Sequence, residues 1–223
     1  MAARLFDRLK EAAGPEWTGY TRHEFVRRLG DGSLPEASFR HYLIQDYLFL
    51  IHFARAYALA VYKSDTLADM RQAGASLSAI LDLEMGLHVG FCAGWGLDEA
   101  AMAASPEATG TLAYTRYVLE RGTAGDLLDL HVALAPCIVG YAEIAAELTA
   151  DPATRLEGNP YRAWIEMYAG EEYRAVAAAE IDQLDSLYGR RGGEARFPDL
   201  ARTFTTASRL EAGFWDMGLK LLP

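Results

Sequence analysis

Cysteine is scarce in this chain of 223 residues, which contains only Cys92 and Cys137. Two cysteines cannot build a disulfide framework, and neither lies in a CxxC pair or in a spacing typical of a zinc site. We therefore expect the protein to work in a reducing, cytoplasmic setting.

Long apolar runs and basic charge are also in short supply. No stretch reaches the roughly 18 uninterrupted apolar residues expected of a membrane span, and the N-terminal MAARLFDRLKEAAG lacks the apolar core of a signal peptide. The chain has 21 Lys and Arg against 31 Asp and Glu, which gives a net charge of -10. That sign disfavours nucleic acid and anionic membranes as partners, whereas a small cationic ligand is compatible with it.

Alternating β-branched segments bounded by hairpin turns are absent, and almost every long segment shows helical periodicity. Ser33 and Glu36, with Pro35 between them, predict a capping box at the start of a long helix that runs to about Lys63. Further helices are predicted over about 65–93, 107–121, 126–149, 160–168, 171–188 and 199–219.

No linker is long or polar enough to divide the chain, so residues 1–223 are expected to form a single domain. Several of the predicted helices have about six turns, and an antiparallel bundle is the natural way to bury them. The fold class expected from the residues is therefore all-α. A ligand site in such a bundle forms from polar side chains that point inward from facing helices.

Asp46 lies within an almost wholly apolar helix and shares a face with Phe49, Phe53 and Tyr57. A buried carboxylate needs a partner, because a lone buried charge is costly. One interpretation is a salt bridge to a neighbour such as Arg40 or Arg55. The other is a ligand acceptor in a pocket.

Cys137 is preceded by Pro136 and followed one helical turn later by Tyr141. The proline removes a backbone donor, so a kink with freed carbonyls is expected there. A free cysteine is usually a buried apolar residue, and that interpretation is favoured without other information. An activating donor such as Tyr141 favours a nucleophile instead.

Glu211 shares a helical face with Phe214, Trp215 and Gly218. An acid among aromatic side chains has its proton affinity raised by desolvation, as general acids and bases often do, although pairing with Arg209 is an equal alternative. Two further aromatic residues, Tyr114 and Tyr168, are candidates either for ligand contact or for simple packing.

Glu84 and His88 are one turn apart, and His41 and His52 also lie on predicted helices. A di-iron bundle uses paired Glu-x-x-His motifs, whereas this chain has a single Glu-x-x-x-His spacing. A hydrogen bond between Glu84 and His88 in the core is therefore the favoured interpretation, and Cys92 is expected to be merely buried.

Five collinear segments together resemble the TenA or thiaminase II family, and the similarity extends from about residue 22 to 218. The segments are GDGSLPEASFRHYLIQDYLFLIHFARAYALA, EMGLHVGF, LAPCIVGYAEIA, NPYRAWIEMYAGEEY and EAGFWDM. The resemblance implies the haem-oxygenase-like helical fold without haem, usually as a homotetramer. It also implies hydrolysis of 4-amino-5-aminomethyl-2-methylpyrimidine to its 5-hydroxymethyl counterpart in thiamine salvage, and cleavage of thiamine itself.

The resemblance also implies roles for particular residues. Cys137 matches the family's nucleophile, Asp46 its ligand-binding aspartate and Glu211 its acid/base glutamate. No metal or organic cofactor is implied. The remaining matches are the active-site tyrosines Tyr114, Tyr141 and Tyr168 and the ring-packing Phe214.

In the mechanism expected from this resemblance, Tyr141 stabilises the thiolate and Tyr168 supports Glu211. The chain departs from the family pattern at Phe49, where many members carry a tyrosine, so a pocket hydroxyl is missing and the substrate preference is open. The sequence is also compatible with two other functions. One is a metal-dependent oxidase that uses Glu84 and His88, and the other is a pyrimidine- or thiamine-binding regulator without turnover.

Overall fold

The computed structural model describes residues 3–223, apart from the side chains of Leu83 and Leu87. No β-strand occurs in the described part of the chain, so the all-α prediction is confirmed. The helices are α1 (Leu5–Ala13), α2 (Pro15–Thr21), α3 (Glu24–Asp31), α4 (Glu36–Lys63), α5 (Leu67–Ala79), α6 (Met85–Ala93), α7 (Glu99–Ala103), α8 (Thr109–Ala124), α9 (Leu127–Ala150), α10 (Arg162–Ala169), α11 (Glu171–Arg191) and α12 (Phe197–Lys220).

The predicted helices match α4, α5–α6 and α8–α12 to within a few residues, whereas the short helix α7 is not predicted and α5 and α6 differ in detail from the single helix expected. These two helices are joined without a loop by a π-helical turn, Ile80–Glu84. A π turn inserts an extra residue into a helix and therefore changes which side chains share a face. Such turns are frequent at functional sites.

The capping box predicted at Ser33 is wrong. Helix α4 begins at Glu36, and Pro35 occupies the N-cap with an extended ψ of 136°. The Ser33 backbone N–H instead donates to the Asp31 side chain at 2.8 Å, in a turn that precedes the helix. Pro35 restricts the residue before it to extended conformations, so the helix cannot start at Ser33.

Helix α9 begins at a true capping box. The Asp126 side chain accepts from the backbone of Asp129, and the Asp129 side chain accepts from the backbone of Asp126. Pro136 lies inside this helix, and the Pro136 carbonyl accepts a hydrogen bond from the Tyr20 hydroxyl at 3.2 Å. This contact does not test the predicted freed carbonyl, because the helical bond that proline removes is the one to the carbonyl of Val132.

By length and composition α9 could also cross a membrane, since its most apolar window has a mean hydropathy of 1.5. However, 83% of that window is buried inside the protein. The core helix of a soluble protein has the same properties. The high hydropathy of α9 is therefore explained by burial against other helices.

The core forms around α4, α9 and α12, which all contact one another. Trp215 of α12 stacks on Phe25 with ring centroids 4.9 Å apart, and its ring is also 5.2 Å from Tyr42 of α4 and 5.4 Å from Tyr141 of α9. Aromatic pairs at these distances add to the free energy of burial and fix the relative positions of the helices. This packing holds the inward polar side chains of the three helices in one place.

Gly140 is a test of this packing, because a Cβ at this position would overlap the ring of Tyr20. We expect Gly140→Ala to lower the free energy of unfolding by about 1–3 kcal/mol, the usual cost of overpacking. Gly189→Ala is the matched control, since a Cβ there has open space and lies in α11, where alanine is favoured by about 0.5–1 kcal/mol. Urea denaturation measures both changes, and equal effects of the two variants would contradict this packing.

Candidate active site

Cys137 lies on α9 with its flanking residues Pro136 and Ile138 buried, yet it is itself only half-buried. A cysteine that merely filled the core would be fully enclosed, as Cys92 is with no exposed surface. Part of the Cys137 surface is therefore accessible to a small molecule. The prediction that Cys92 is simply buried is confirmed.

The Cys137 side chain lies against the Glu211 carboxyl of α12. The Tyr114 hydroxyl of α8 donates to Oε1 of the same carboxyl at 2.9 Å. Burial raises the pKa of Glu211 to about 8, against the opposing effect of the Tyr114 hydrogen bond. The alternative pairing of Glu211 with Arg209 does not occur, because Glu211 faces the interior and its oxygen is bound by Tyr114.

The Cys137 thiol lies in a strongly negative environment. Burial raises its pKa well above the ordinary value, and the charges of Glu211, Glu84 and Asp46 raise it further, in that order. Taking a proton from this thiol at neutral pH requires a base at the moment of reaction. Glu211 is in contact with the thiol and can take that proton.

Asp46 is buried on α4, but its partner is neither Arg40 nor Arg55. His88 Nε2 lies 2.6 Å from Asp46 Oδ2, and the Tyr42 hydroxyl donates to the same oxygen at 3.0 Å. Tyr42 is one helical turn before Asp46, so it shares the inward face. The predicted arginine partners are wrong because both arginines are on the outer face of α4, where they are exposed.

The two oxygens of Asp46 are not equivalent. Oδ1 accepts no hydrogen bond from any described residue, and it is not among the fully enclosed polar atoms that lack a partner. Within the described chain Trp215 Nε1 is the single atom in that class. Asp46 Oδ1 therefore borders open space and is free to accept from a ligand.

His88 does not bind the Glu84 side chain, so that prediction is wrong. His88 Nδ1 lies 2.8 Å from the backbone carbonyl of Glu84, one turn earlier, while Nε2 faces Asp46. Burial lowers the pKa of His88, but the Asp46 carboxylate outweighs this effect and the net change is upward. With both ring nitrogens engaged, His88 has no lone pair for a metal ion.

The other four histidines have partners of their own, with His23 near Asp216 and His131 near Glu180. His52 lies 2.9 Å from Glu107, and His41 contacts the carbonyl of Leu222. Among residues 3–223 no group of three or more potential metal ligands converges. The geometry therefore does not favour the metal-dependent oxidase.

Tyr168 and Tyr141 make contacts other than the predicted ones. The Tyr168 hydroxyl of α10 donates to Glu84 Oε1 at 3.2 Å and not to Glu211, because it faces the π-helical turn. The Tyr141 hydroxyl lies 3.5 Å from that of Tyr42 and not at the thiol. The Tyr141 ring packs on Trp164, Tyr168 and Trp215, which directs its hydroxyl towards α4.

Aromatic side chains form one wall beside these polar groups. Phe49 lies 5.6 Å from Phe214 and 5.0 Å from Tyr114, measured between ring centroids. Phe214 also meets Tyr42 edge-on at 6.0 Å. A flat heterocycle can pack against this wall, which joins α4, α8 and α12.

Sequence reasoning missed three members of the site. Tyr42 and Glu84 contact predicted site residues, and Tyr173 is half-buried against Tyr168 at 4.7 Å. The spacing of Tyr42 and Asp46, four residues apart on one apolar helix, is a signal that could have revealed Tyr42. From the sequence Glu84 is expected only as a partner for His88 or as a metal ligand, and not as a partner of Tyr168.

A surface groove of about 440 Å³ lies elsewhere, between α2, α3 and the C-terminal end of α9. Its charged lining residues are Arg22, Arg27, Glu147 and Asp151. None of the thiol, tyrosine or buried acid side chains described above borders it. The chemically distinctive residues therefore lie in the interior of the bundle and not in this groove.

Comparison with known proteins agrees with this architecture. A crystal structure of a TenA family transcription regulator from Silicibacter superposes with a TM-score of 0.92, at 47% identity, and covers 97% of each chain. A Shewanella denitrificans domain described as having a heme oxygenase-like fold superposes with a TM-score of 0.74 at 16% identity, covering 97% of this chain and 92% of its own. The predicted haem-oxygenase-like fold is thereby confirmed.

Among curated sequences, an aminopyrimidine aminohydrolase from Halalkalibacterium halodurans is 38% identical over 210 residues, covering 94% of this chain and 92% of its own. Residues 11–221 of this chain match the TENA/THI-4/PQQC family. The match spans nearly the whole sequence and includes every segment on which the resemblance was based. The chain belongs to the TENA/THI-4/PQQC family.

Proposed function

We propose that this protein hydrolyses 4-amino-5-aminomethyl-2-methylpyrimidine to the 5-hydroxymethyl compound, by nucleophilic catalysis from Cys137. The observation that carries the proposal is the contact between the Cys137 thiol and the buried Glu211 carboxyl, whose Oε1 accepts a hydrogen bond from Tyr114. A nucleophile in contact with an oriented acid/base group is the arrangement that covalent catalysis requires. The names of the curated relatives support the same substrate class.

In this proposal the pyrimidine ring packs against the wall of Phe49 and Phe214. Asp46 Oδ1 accepts a hydrogen bond from the aminopyrimidine edge, while His88 and Tyr42 hold Oδ2. The hydrogen bonds to Oδ2 thus fix the orientation of the carboxylate before the ligand binds to Oδ1. Preorganised acceptors of this kind do not have to reorient during binding.

The chemistry proposed for Cys137 begins with sulfur adding to the ring carbon next to the one that bears the aminomethyl arm. The thiol proton passes to the Glu211 carboxylate, the exocyclic C–N bond breaks, and the ammonium group of the arm leaves as ammonia. Water then adds to the exposed methylene, the C–S bond breaks, and the hydroxymethyl product forms. Glu211 returns its proton to sulfur and accepts one from the water.

The raised pKa of Glu211 fits this shuttle. In the free protein burial keeps the carboxyl largely protonated at neutral pH, since its pKa is raised to about 8. A cationic substrate lowers the pKa of a neighbouring carboxyl, because the positive charge stabilises the carboxylate. The charge of the substrate thus prepares the base that takes the thiol proton. Thiamine, whose thiazolium also leaves as a neutral molecule, fits the same scheme.

Replacement of the two central groups tests the mechanism. We expect Glu211→Gln to lower kcat for the aminomethylpyrimidine by about 100-fold or more, the usual contribution of an acid/base group, with KM little changed. Cys137→Ser is expected to lose still more turnover, because a hydroxyl is a weaker nucleophile than a thiol. Ammonia release measures both.

Cys92→Ala is the matched cysteine control for these measurements, since Cys92 is fully buried and apart from the acids of the site. We expect it to retain the parental kcat. Full activity in either Glu211→Gln or Cys137→Ser would refute the corresponding role.

The protonation state of the thiol has its own test. Burial and the neighbouring acids hold the pKa of Cys137 well above its usual range, so alkylation by iodoacetamide should be slow at pH 8 and accelerate only at more alkaline pH. Because the Glu211 charge is the largest electrostatic cause, Glu211→Gln should shift the pH profile of alkylation downward. Cys92→Ala removes the second thiol from the assay. A midpoint near neutral pH in the parent would contradict the proposed environment.

We further propose that the helices act as one domain in the cytoplasm, with further copies of the chain covering an apolar face. A single core cluster includes residues from α1 through α12, and both cysteines are free thiols. The α5 side of the molecule exposes Tyr62, Leu67, Met70 and Leu81, with Leu67 at 60% and Leu81 at 53%. Exposed large apolar side chains on one side of a molecule are candidates for an interaction surface.

Light scattering after gel filtration tests this surface. We expect the parent chain to elute as a tetramer and Leu67→Asp with Met70→Asp to elute as a smaller species, because burying two carboxylates in an apolar interface is costly. Leu221→Asp is a control for added charge at another exposed leucine. A monomeric parent would contradict the proposed assembly.

A further inference from the structure

Glu84 is a half-buried acid that the proposed mechanism does not use. It ends the π-helical turn Ile80–Glu84, and His88 follows one turn later on the same face. His88 is fixed against Asp46 at 2.6 Å, so this face of the helix points into the site. The preceding residues of the turn, Leu81 and Asp82, are exposed. Of the two acids in the turn, Asp82 therefore faces solvent and Glu84 faces the interior.

The Glu84 carboxyl has no cationic partner of its own. Its Oε1 accepts from Tyr168, whereas Oε2 accepts no hydrogen bond from the described residues and is not among their fully enclosed unpaired atoms. Two other buried acids are paired with histidines, Asp46 with His88 and Glu180 with His131. A half-buried carboxylate with one tyrosine donor and no cationic partner is incompletely compensated for its lost hydration, which points to a cation that arrives from outside.

Glu84 lies on the same side of the bundle interior as the nucleophile. The ring of Tyr168, whose hydroxyl holds Glu84, packs 4.9 Å from the ring of Tyr141, which follows Cys137 by one helical turn. The charge of Glu84 acts on the Cys137 thiol more strongly than that of Asp46 does, and it is second only to that of Glu211. Burial raises the pKa of Glu84 to about 7, so the carboxyl is poised to ionise when a positive charge approaches. Asp46, which has a free oxygen for the ring, and Glu84 thus lie on different helices around one thiol.

We propose that Glu84 forms a subsite for the cationic nitrogen of the substrate, held in place by the Tyr168 hydroxyl. The ligand chemistry is an organic cation attached to the carbon that the reaction cleaves, either a primary ammonium or a thiazolium. This inference rests on the proposed function, because it assumes that the pyrimidine ring lies beside Cys137. Glu84 contacts the substrate in this account, and Tyr168 is a positioning residue that acts through Glu84.

The proposed subsite distinguishes the substrate from the product by charge. The aminomethyl substrate carries a positive charge at this subsite, whereas the hydroxymethyl product carries none. A carboxylate gains a charge-assisted hydrogen bond with the first ligand and only a neutral one with the second. The site therefore distinguishes substrate from product by charge, and loss of the leaving group weakens binding and favours product release.

Binding to a catalytically silenced protein tests this inference directly. In the Cys137→Ser background, calorimetry at pH 8 measures Kd for the aminomethylpyrimidine and for the hydroxymethylpyrimidine. We expect the parent background to prefer the ammonium ligand by about tenfold or more, the size of a charge-assisted hydrogen bond. Adding Glu84→Gln should reduce this preference to within about twofold and leave the Kd of the hydroxymethyl ligand unchanged.

Two further variants accompany this comparison. Glu172→Gln makes the same chemical change at an exposed residue of α11 and should keep the full preference. Tyr168→Phe removes the hydroxyl that holds Glu84, so it should reduce the preference for the ammonium ligand to a value between those of the parent and Glu84→Gln. This variant also tests the inference if Glu84→Gln does not fold. A full preference in Tyr168→Phe would then overturn the inference.

The other outcomes are equally decisive. The subsite is not at Glu84 if Glu84→Gln keeps the full preference or weakens the binding of both ligands equally. The same conclusion follows if Glu211→Gln, without any change at Glu84, abolishes the preference. If the parent chain binds both pyrimidines with the expected preference but releases no ammonia, the proposed hydrolysis fails and the subsite stands. If neither pyrimidine binds the Cys137→Ser protein, both proposals are overturned.

Discussion

The cost of removing carboxylates from water is the constraint on which the site depends. Asp46, Glu84 and Glu211 lie around the Cys137 thiol with little exposure to water, and each is compensated in a different way. Asp46 is paired with His88 at 2.6 Å, whereas Glu84 and Glu211 have tyrosine donors and pKa values raised to about 7 and about 8. The interior therefore contains the Asp46 carboxylate and two carboxyl groups that can ionise near neutral pH. A cationic ligand would supply the charge partner that Glu84 and Glu211 lack.

This constraint explains why the acids come from separate helices. Asp46 is on α4, Glu211 on α12 and Glu84 at the π-helical turn before α6, while the thiol they surround is on α9. Aromatic packing around Trp215 fixes α4, α9 and α12 relative to one another, so the polar groups cannot move apart to lower their mutual repulsion. The stable aromatic packing thus holds the acidic side chains close together, although their mutual repulsion is unfavourable until a cationic ligand binds. Such local costs are common at functional sites.

Much of this could be predicted from the sequence, because helical periodicity and the inward positions of Asp46, Cys137 and Glu211 are local properties of single helices. The resemblance to a family then connected these positions. What could not be predicted was the pairing between helices. Tyr114 and not Tyr168 holds Glu211, and His88 and not an arginine holds Asp46, because these contacts depend on rotations about helix axes that periodicity leaves free. The π-helical turn that places Glu84 inside has no sequence pattern of its own.

The central claim is that the thiol and the buried acids surround one flat, cationic heterocycle. A crystal structure of the Cys137→Ser protein with 4-amino-5-aminomethyl-2-methylpyrimidine tests it most directly. The account predicts the ring against Phe49 and Phe214, with Asp46 Oδ1 within hydrogen-bonding distance of the aminopyrimidine edge and residue 137 facing the ring. A pyrimidine seated in the groove beside Arg22 and Glu147, or one turned away from residue 137, would contradict it.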